Sequence, residues 1–423
     1  MRIVYLHQYF RTPQMSGGTR SYEFARRLVQ RGHEVHVVTS DTDSVPDVGP
    51  TWRTTVEAGV VVHWAAVPYR NAMSFRARIS AFGQFARLAA ARAASLEQDV
   101  IFATSTPLTI AIPAVYSARR RRVPMVLEVR DLWPEVPIAL GALRSPLLRR
   151  AATTLEVWAY RNAAHVVALS PGMAAGVRAR CPGATVTVVP NGCDRHLFAD
   201  ADTAGRALRD RTPWLGGRPL ILYAGTLGLV NDVGYLVRMA ATLRRDHPDV
   251  RVALVGQGAE AAHVRALAVE SGVLGRNLFL LDQVSKAEVV AFFAACDLAV
   301  STVRDEPALH ANSANKVFDG WAAGRPVAVN HEGWIADVLR RSGAGLVLPA
   351  GDPAAAATLV GAFVTDPART AAARAAARVV AATEFDRDLL FERFEQVLQE
   401  AARQRRTIDP KVRQSPQEAA NRS

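Results

Sequence analysis

One short stretch of this chain carries the side chains and the spacing to hold a phosphate-bearing ligand. In Ser313-Ala314-Asn315-Lys316-Val317-Phe318-Asp319-Gly320 the residue types mark the start of a helix, with Ser313 as candidate N-cap. Gly324 and Pro326 then stop the helix and lead into the apolar run Val327-Ala328-Val329. Lys316 and Asp319 lie three apart and share a helix face. Lys316 also sits in the first turn, where unpaired backbone N–H groups favour an anion and disfavour a cation. A bound anion would resolve that conflict. The plainer reading of the same pair is a solvated surface ion pair. The chain has only three lysines, Lys286, Lys316 and Lys411, and arginine supplies the rest of its basic charge.

Four further constellations carry possible chemistry. Ser16-Gly17-Gly18-Thr19-Arg20 follows an apolar strand and opens a helix, so its backbone can approach a ligand and present N–H groups. Glu128-Val129-Arg130-Asp131-Leu132-Trp133-Pro134-Glu135 places three carboxylates, an Arg and a Trp at the end of another strand. Such groups suit sugar hydroxyls and a pyranose face, and equally a surface ion-pair network. Gly225-Thr226 and Gly256-Gln257-Gly258 are glycine-containing loops after strands, suited to a nucleotide. Pro190-Asn191-Gly192-Cys193-Asp194 reads as a turn leaving a strand.

The elements that must position these residues alternate in kind. Apolar runs at 3–6, 34–38, 60–64, 100–103, 125–129, 165–169 and 186–189 read as strands, with helical patterns between them. A second set at 220–224, 250–255, 278–281, 298–301, 326–330 and 345–347 follows a polar stretch at 200–218. This is the signature of two doubly wound α/β domains, 1–200 and 201–385, facing across a cleft at the carboxyl ends of their strands. An amphipathic helix over 386–403 follows, and 404–423 reads as a disordered tail.

Charge is uneven. The net of +12 belongs mostly to the first 200 residues, and 14 of the arginines lie between Arg70 and Arg161. There Arg76, Arg78, Arg87 and Arg92 accompany Ile79, Phe82, Phe85 and Leu88, while Arg144, Arg149 and Arg150 accompany Leu147, Leu148 and Trp158. Basic amphipathic helices can lie on an anionic bilayer, and solvated outer faces of core helices look the same. The pattern contains no recognised nucleic-acid module. Three cysteines without metal spacing fit a reducing cytosol. The polar residues after the first apolar run do not suit a signal peptide, and no stretch reaches the ~20 apolar residues a transmembrane helix needs, so membrane contact is expected to be peripheral, on the inner, cytoplasmic face.

Taken in order, Gly17-Gly18, Arg130-Asp131-Leu132-Trp133-Pro134, Pro190–Asp194, Gly256-Gln257-Gly258 and Ala322-Ala323-Gly324-Arg325-Pro326-Val327 resemble family 4 retaining glycosyltransferases of the GT-B fold. The opening Tyr5–Phe10 and Ser16–Glu23 are similar to the WbuB-like group of bacterial O-antigen, capsule and exopolysaccharide transferases. The resemblance implies a nucleotide sugar, a UDP-sugar favoured over a GDP-sugar, held mainly by the second domain. Donor contacts would come from Gly17, Gly18, Gly225, Thr226, Gly256, Gln257, Asn315, Lys316 and Asp319. Acceptor contacts would come from Arg20, Glu128, Trp133 and Glu135, and catalysis from Lys316, Asp131 and Arg130. The acceptor implied is a polyprenyl-linked saccharide, and no metal or other cofactor is expected. Asp41-Thr42-Asp43 has metal-motif spacing but reads as a first-domain loop. The family usually carries two glutamates with seven residues between them; the second matches Asp319 and the first falls on Ala311. Its usual Arg and Lys fall on Thr226 and Asn231, which implies that Lys316 takes over the diphosphate. The competing readings are a catalytically silent nucleotide-sugar-binding module at the membrane and an epimerase or sugar phosphate synthase on the same fold.

Overall fold

The structure, a computed structural model, describes residues 1–42, 51–69, 73–141 and 143–408. Arg70, Asp43 and the tail beyond 408 lie outside the described residues.

Eight strands form the first sheet: β1 (Arg2–Leu6), β2 (Glu34–Ser40), β3 (Trp52–Glu57), β4 (Val60–Ala65), β5 (Val100–Thr104), β6 (Met125–Val129), β7 (His165–Ala168) and β8 (Val186–Val188). Their order is β3-β4-β2-β1-β5-β6-β7-β8, and every pairing is parallel except β3 with β4. The central strands are buried apart from Arg2 at the start of β1 and are apolar except at Arg2, Thr104 and Glu128, as a sheet covered on both faces requires. Sequence patterning misses β3 because its side chains are largely exposed and polar. The hairpin that makes it turns at Ala58-Gly59, both at positive φ (49° and 84°), as a two-residue hairpin turn needs.

The second sheet holds β9 (Leu220–Ala224), β10 (Arg251–Val255), β11 (Leu278–Leu281), β12 (Leu298–Ser301), β13 (Val327–Val329) and β14 (Gly345–Val347). It is parallel throughout, in the order β11-β10-β9-β12-β13-β14. The stretch expected as a polar linker contains the helix Ala201–Asp210, which packs on helix Lys286–Ala295. Contact there is so close that a Cβ on Gly205 would come within 2.7 Å of the Ala294 backbone.

The helix Arg387–Ile408 does not stay with the second sheet. Its Leu390, Phe391, Phe394, Val397 and Leu398 are buried in the first core with Tyr5, Phe24 and Phe102. The Phe394 ring lies 4.6 Å from Phe24 and 4.9 Å from Phe102. Burying such side chains contributes roughly 1.5–3 kcal/mol each. The crossing is fixed where Cys193 pairs with Asp386 and where Arg387 is held by Asp194 and the Gly192 carbonyl. Among the described residues, no helix is long and apolar enough to cross a membrane.

Candidate active site

The helix Asn315–Ala322 organises the site. Trp321, wholly buried, stacks on Phe385 at 5.3 Å, and Phe318 meets both edge-on, so the helix is bolted to the sheet by its apolar face. Gly320 lets it lie flat against the strands; a Cβ there would reach Val327 at 2.7 Å. The N-cap is Ala314, with no side-chain cap, rather than Ser313. Ser313 instead receives the Asn191 backbone N–H across the domain boundary. The N–H groups of Asn315 and Lys316 are therefore left without a capping side chain and available to a ligand, while that of Val317 bonds the Ala314 carbonyl.

These groups open into a cavity of about 620 Å³ between the domains. Gly17 and Gly18 line it from the first domain, and Gly225, Thr226, Gln257, Asn315, Lys316 and Asp319 from the second. The domains touch along its edge. A Cβ on Gly18 would come within 2.5 Å of Asn315 Nδ2, Ser170 Oγ donates to the Ala311 carbonyl at 2.6 Å, and Asn191 Nδ2 donates to the Ser313 carbonyl.

Lys316 and Asp319 are not paired with each other. Asp319 takes its ion pair from Lys286, and both side chains are buried. Lys316 is partly buried, with its ammonium 4.5 Å from the Tyr223 ring centroid and 3.4 Å from the Tyr223 hydroxyl. Burial pulls its pKa down from 10.5 to about 8, against the opposing pull of Asp319. A partly desolvated ammonium beside free N–H groups is a site for an anion.

Lys286 is the cavity-lining residue that sequence reading missed. Two signals could have found it: it is one of three lysines, and Ser285-Lys286-Ala287-Glu288 spells a capping box, which the structure contains in full. Gly256 is placed differently from expectation. It does not line the cavity but lies beneath Gly225, where a Cβ would fall 2.0 Å from the Gly225 carbonyl oxygen. Its contribution is to let two loops interlock.

On the first domain the expected acceptor set divides. Arg20 and Glu128 are fully buried partners, with Arg20 also donating to the Val189 carbonyl and Thr104 to Glu128. They hold the Gly17-Gly18 helix against β6 and cannot touch an acceptor, which corrects that assignment. Trp133 is half-buried against the core of the first sheet. Glu135 is exposed and faces a second interdomain cavity of about 700 Å³, walled on the far side by His310, Ala311 and Trp334. Ala311 there packs against Gly172, whose Cβ position lies 2.9 Å away.

Arg130 and Asp131 stand at the carboxyl end of β6 and do not line the 620 Å³ cavity. Arg130 Nη1 lies 3.5 Å from His7 Nε2. Desolvation raises the Asp131 carboxyl to about 6 while Arg130 opposes the rise. Asp131 retains an exposed face, so solvent screening moderates the effect.

Two parallel-sheet domains meeting over a cavity of this kind define the GT-B architecture. Residues 17–192 match the glycosyl transferase 4-like domain and 218–366 match glycosyl transferases group 1. The chain belongs to the GT-B glycosyltransferases and is a transferase of that class. It is 26% identical over 284 residues to a GDP-mannose-dependent α-(1-6)-phosphatidylinositol monomannoside mannosyltransferase of Mycolicibacterium smegmatis, covering 66% of this chain and 71% of the relative. It is 28% identical over 391 residues to a D-inositol 3-phosphate glycosyltransferase of Xylanimonas cellulosilytica, covering 86% and 87%. Among solved structures, sucrose-phosphate synthase of Thermosynechococcus elongatus superposes with TM-score 0.77 at 18% identity, over 94% of this chain and 98% of that one. HepE of Anabaena, solved with UDP-glucose, superposes with TM-score 0.68 at 17% identity, over 95% and 100%.

Proposed function

We propose that the chain transfers a sugar, with retention and without a metal, from a nucleoside diphosphate sugar to a lipid-linked saccharide used in envelope polysaccharide. The single observation that carries the donor half is Lys316: a partly buried ammonium with no carboxylate in ion-pair range among the described residues, at an uncapped helix N-terminus, on the wall of the interdomain cavity. Negative charge builds on the leaving phosphate during transfer, and positive charge held there beforehand lowers the barrier. Lys286 and Asp319 lie deeper and offer an ammonium and a carboxylate to a ribose. UDP-sugars are the expected donors, and the GDP-mannose named for the mycobacterial relative makes GDP-sugars the second set to try.

The acceptor half rests on where exposed apolar side chains fall. Ile79, Ile112, Leu147 and Leu148 are 44–80% exposed, with Leu147 the extreme at 80%. Each lies near the start of its helix, Phe75–Ser95, Ala111–Arg121 or Pro146–Asn162. Helices that connect parallel strands start at the carboxyl edge of the sheet, which is the cleft edge. Arg76, Arg144 and Arg150 share that edge and are exposed. A cationic rim with protruding aliphatic groups suits an anionic inner membrane leaflet and a lipid tail. The run Arg119–Arg122 belongs to the opposite edge, where Arg119 bonds Asn162 and Arg121 bonds the Ala94 carbonyl at helix ends.

The test is release of UDP or GDP from a panel of nucleotide sugars, with and without polyprenyl-linked saccharide in anionic vesicles. Acceptor-dependent release from one donor supports the reading. Binding of a nucleotide sugar with no release under any condition would instead support a silent module, the alternative that Ala311 in place of a carboxylate favours.

A further inference from the structure

On the far side of the second domain is another cavity, of about 740 Å³, walled by Arg206, Arg209, Arg325, Arg374 and Arg378. Two carboxylates face these five guanidinium groups. Asp297 is shared between Arg209 and Arg374, and Asp202 is bound by Arg325. The end of helix Lys286–Ala295 also points carbonyls here, but those of Ala294 and Ala295 are occupied by Arg325 and Arg209. Positive charge remains in surplus, in a concave place where it is not freely dispersed into solvent.

Two buried donors in this wall lack acceptors even though the same side chains make ion pairs. Arg325 is only 7% exposed, yet its Nε–H has no hydrogen-bond partner, and the buried Nε–H of Arg374 has none either. A buried donor left without an acceptor is costly. Burial, and then the neighbouring Arg325 and Arg209, hold the Arg374 guanidinium below its ordinary pKa, although Asp297 opposes the effect. Arg378 lies across Gly324, which has φ +64°, with its Nε 2.9 Å from where a Cβ would stand. The walls therefore include the turn that ends helix Asn315–Ala322 and the last residues of helix Lys286–Ala295. The two helices that carry Lys316 and Lys286 at their starts both finish at this cavity.

We propose that this cavity binds a soluble, multiply charged phosphate anion, of the size of pyrophosphate or a small sugar phosphate, on Arg206, Arg325, Arg374 and Arg378. Planar guanidinium forks match phosphate oxygens pairwise, and four of them converge here. The site is separate from the donor cavity and does not depend on the donor assignment.

The experiment uses the full chain carrying Lys316→Ala, which removes the donor-cavity cation assigned to the diphosphate and leaves Lys286 paired with Asp319. Sodium pyrophosphate is titrated at constant ionic strength and the heat recorded. The expected result is one saturable site. Adding Arg206→Gln and Arg378→Gln, both on exposed side chains, is expected to weaken binding roughly tenfold for each guanidinium lost. Thermal melts of both proteins show that the fold is kept. Absence of saturable heat, or equal affinity with and without the two Arg substitutions, would overturn the proposal. A second arm sediments both proteins with vesicles of phosphatidic acid and phosphatidylcholine. If Arg206 and Arg378 are needed for vesicle binding while pyrophosphate gives no heat, the anion is a lipid headgroup and the soluble-ligand assignment fails.

Discussion

Replacing Lys316 with Met separates what the residue costs the fold from what it gives the ligand. The folded-state pKa of about 8 lies some two and a half units below the ordinary 10.5. At about 1.4 kcal/mol per unit, the charged side chain destabilises the unliganded protein by about 3 kcal/mol at most. The Tyr223 ring returns about 1 kcal/mol of that through its contact with the ammonium, and a Met side chain keeps the apolar packing. Lys316→Met is therefore expected to stabilise the ligand-free protein by about 1–2 kcal/mol at pH 7, a rise in melting temperature of about 2–8 °C.

The sign with pH is fixed. Below pH 8 the ammonium is charged in both folded and unfolded chains, and its full penalty is present. Between about 8 and 10.5 the folded protein has released the proton and the unfolded chain has not, so the parent gains stability as pH rises. The melting difference between variant and parent should shrink across that interval, as scanning calorimetry at pH 7 and pH 10 will show. The same substitution should weaken nucleotide diphosphate binding and lower transfer about a hundredfold or more. A variant that melts below the parent at pH 7 and binds nucleotide as before would refute the reasoning on both counts.

Other substitutions test the remaining contacts. Lys286→Ala leaves Asp319 buried without its partner and should cost about 3–5 kcal/mol, read in urea unfolding, whereas Lys286→Met with Asp319→Leu should restore most of that stability but not nucleotide binding. Arg20→Ala should destabilise the first domain by a similar amount through the abandoned Glu128, while Trp133→Ala, if it meets acceptor, should raise the acceptor KM with little change in melting. Gly256→Ala should displace the Gly225 loop, costing more than about 1 kcal/mol and weakening nucleotide affinity in calorimetry, since the added methyl has no room and φ is +150°. Leu147→Glu should reduce sedimentation with anionic vesicles and leave melting unchanged; equal sedimentation would contradict the cleft-edge membrane contact.

The order of strands and helices was legible because buried parallel strands are continuous apolar runs and need no partner in sequence to be seen. The exposed edge strand β3 was not, because its polar face hides the period. Lys316 and the glycine loops were legible from local chemistry: a cation at a helix start and backbone without Cβ. The pairing of Asp319 was not, because its partner Lys286 lies 33 residues away on another helix, and only the packing of helix Lys286–Ala295 beside helix Asn315–Ala322 brings them together. Arg20 and Glu128 misled for a related reason. A charged residue near a glycine loop and another at a strand end look alike whether they face a ligand or each other, and their 108-residue separation conceals that they are a buried pair.

The return of helix Arg387–Ile408 to the first sheet has a consequence for how the protein is made. Ile3, Tyr5, Phe24 and Phe102 precede by nearly 300 residues or more the side chains that cover them, Leu390 to Leu398. The first domain thus leaves the ribosome with an apolar face uncovered, and it waits while the whole second domain is translated. At roughly 5–20 residues per second, that exposure lasts on the order of ten seconds to a minute. The two domains are consecutive in the chain but interdependent in folding, and the first one cut out at the linker would carry a sticky face that the intact protein hides.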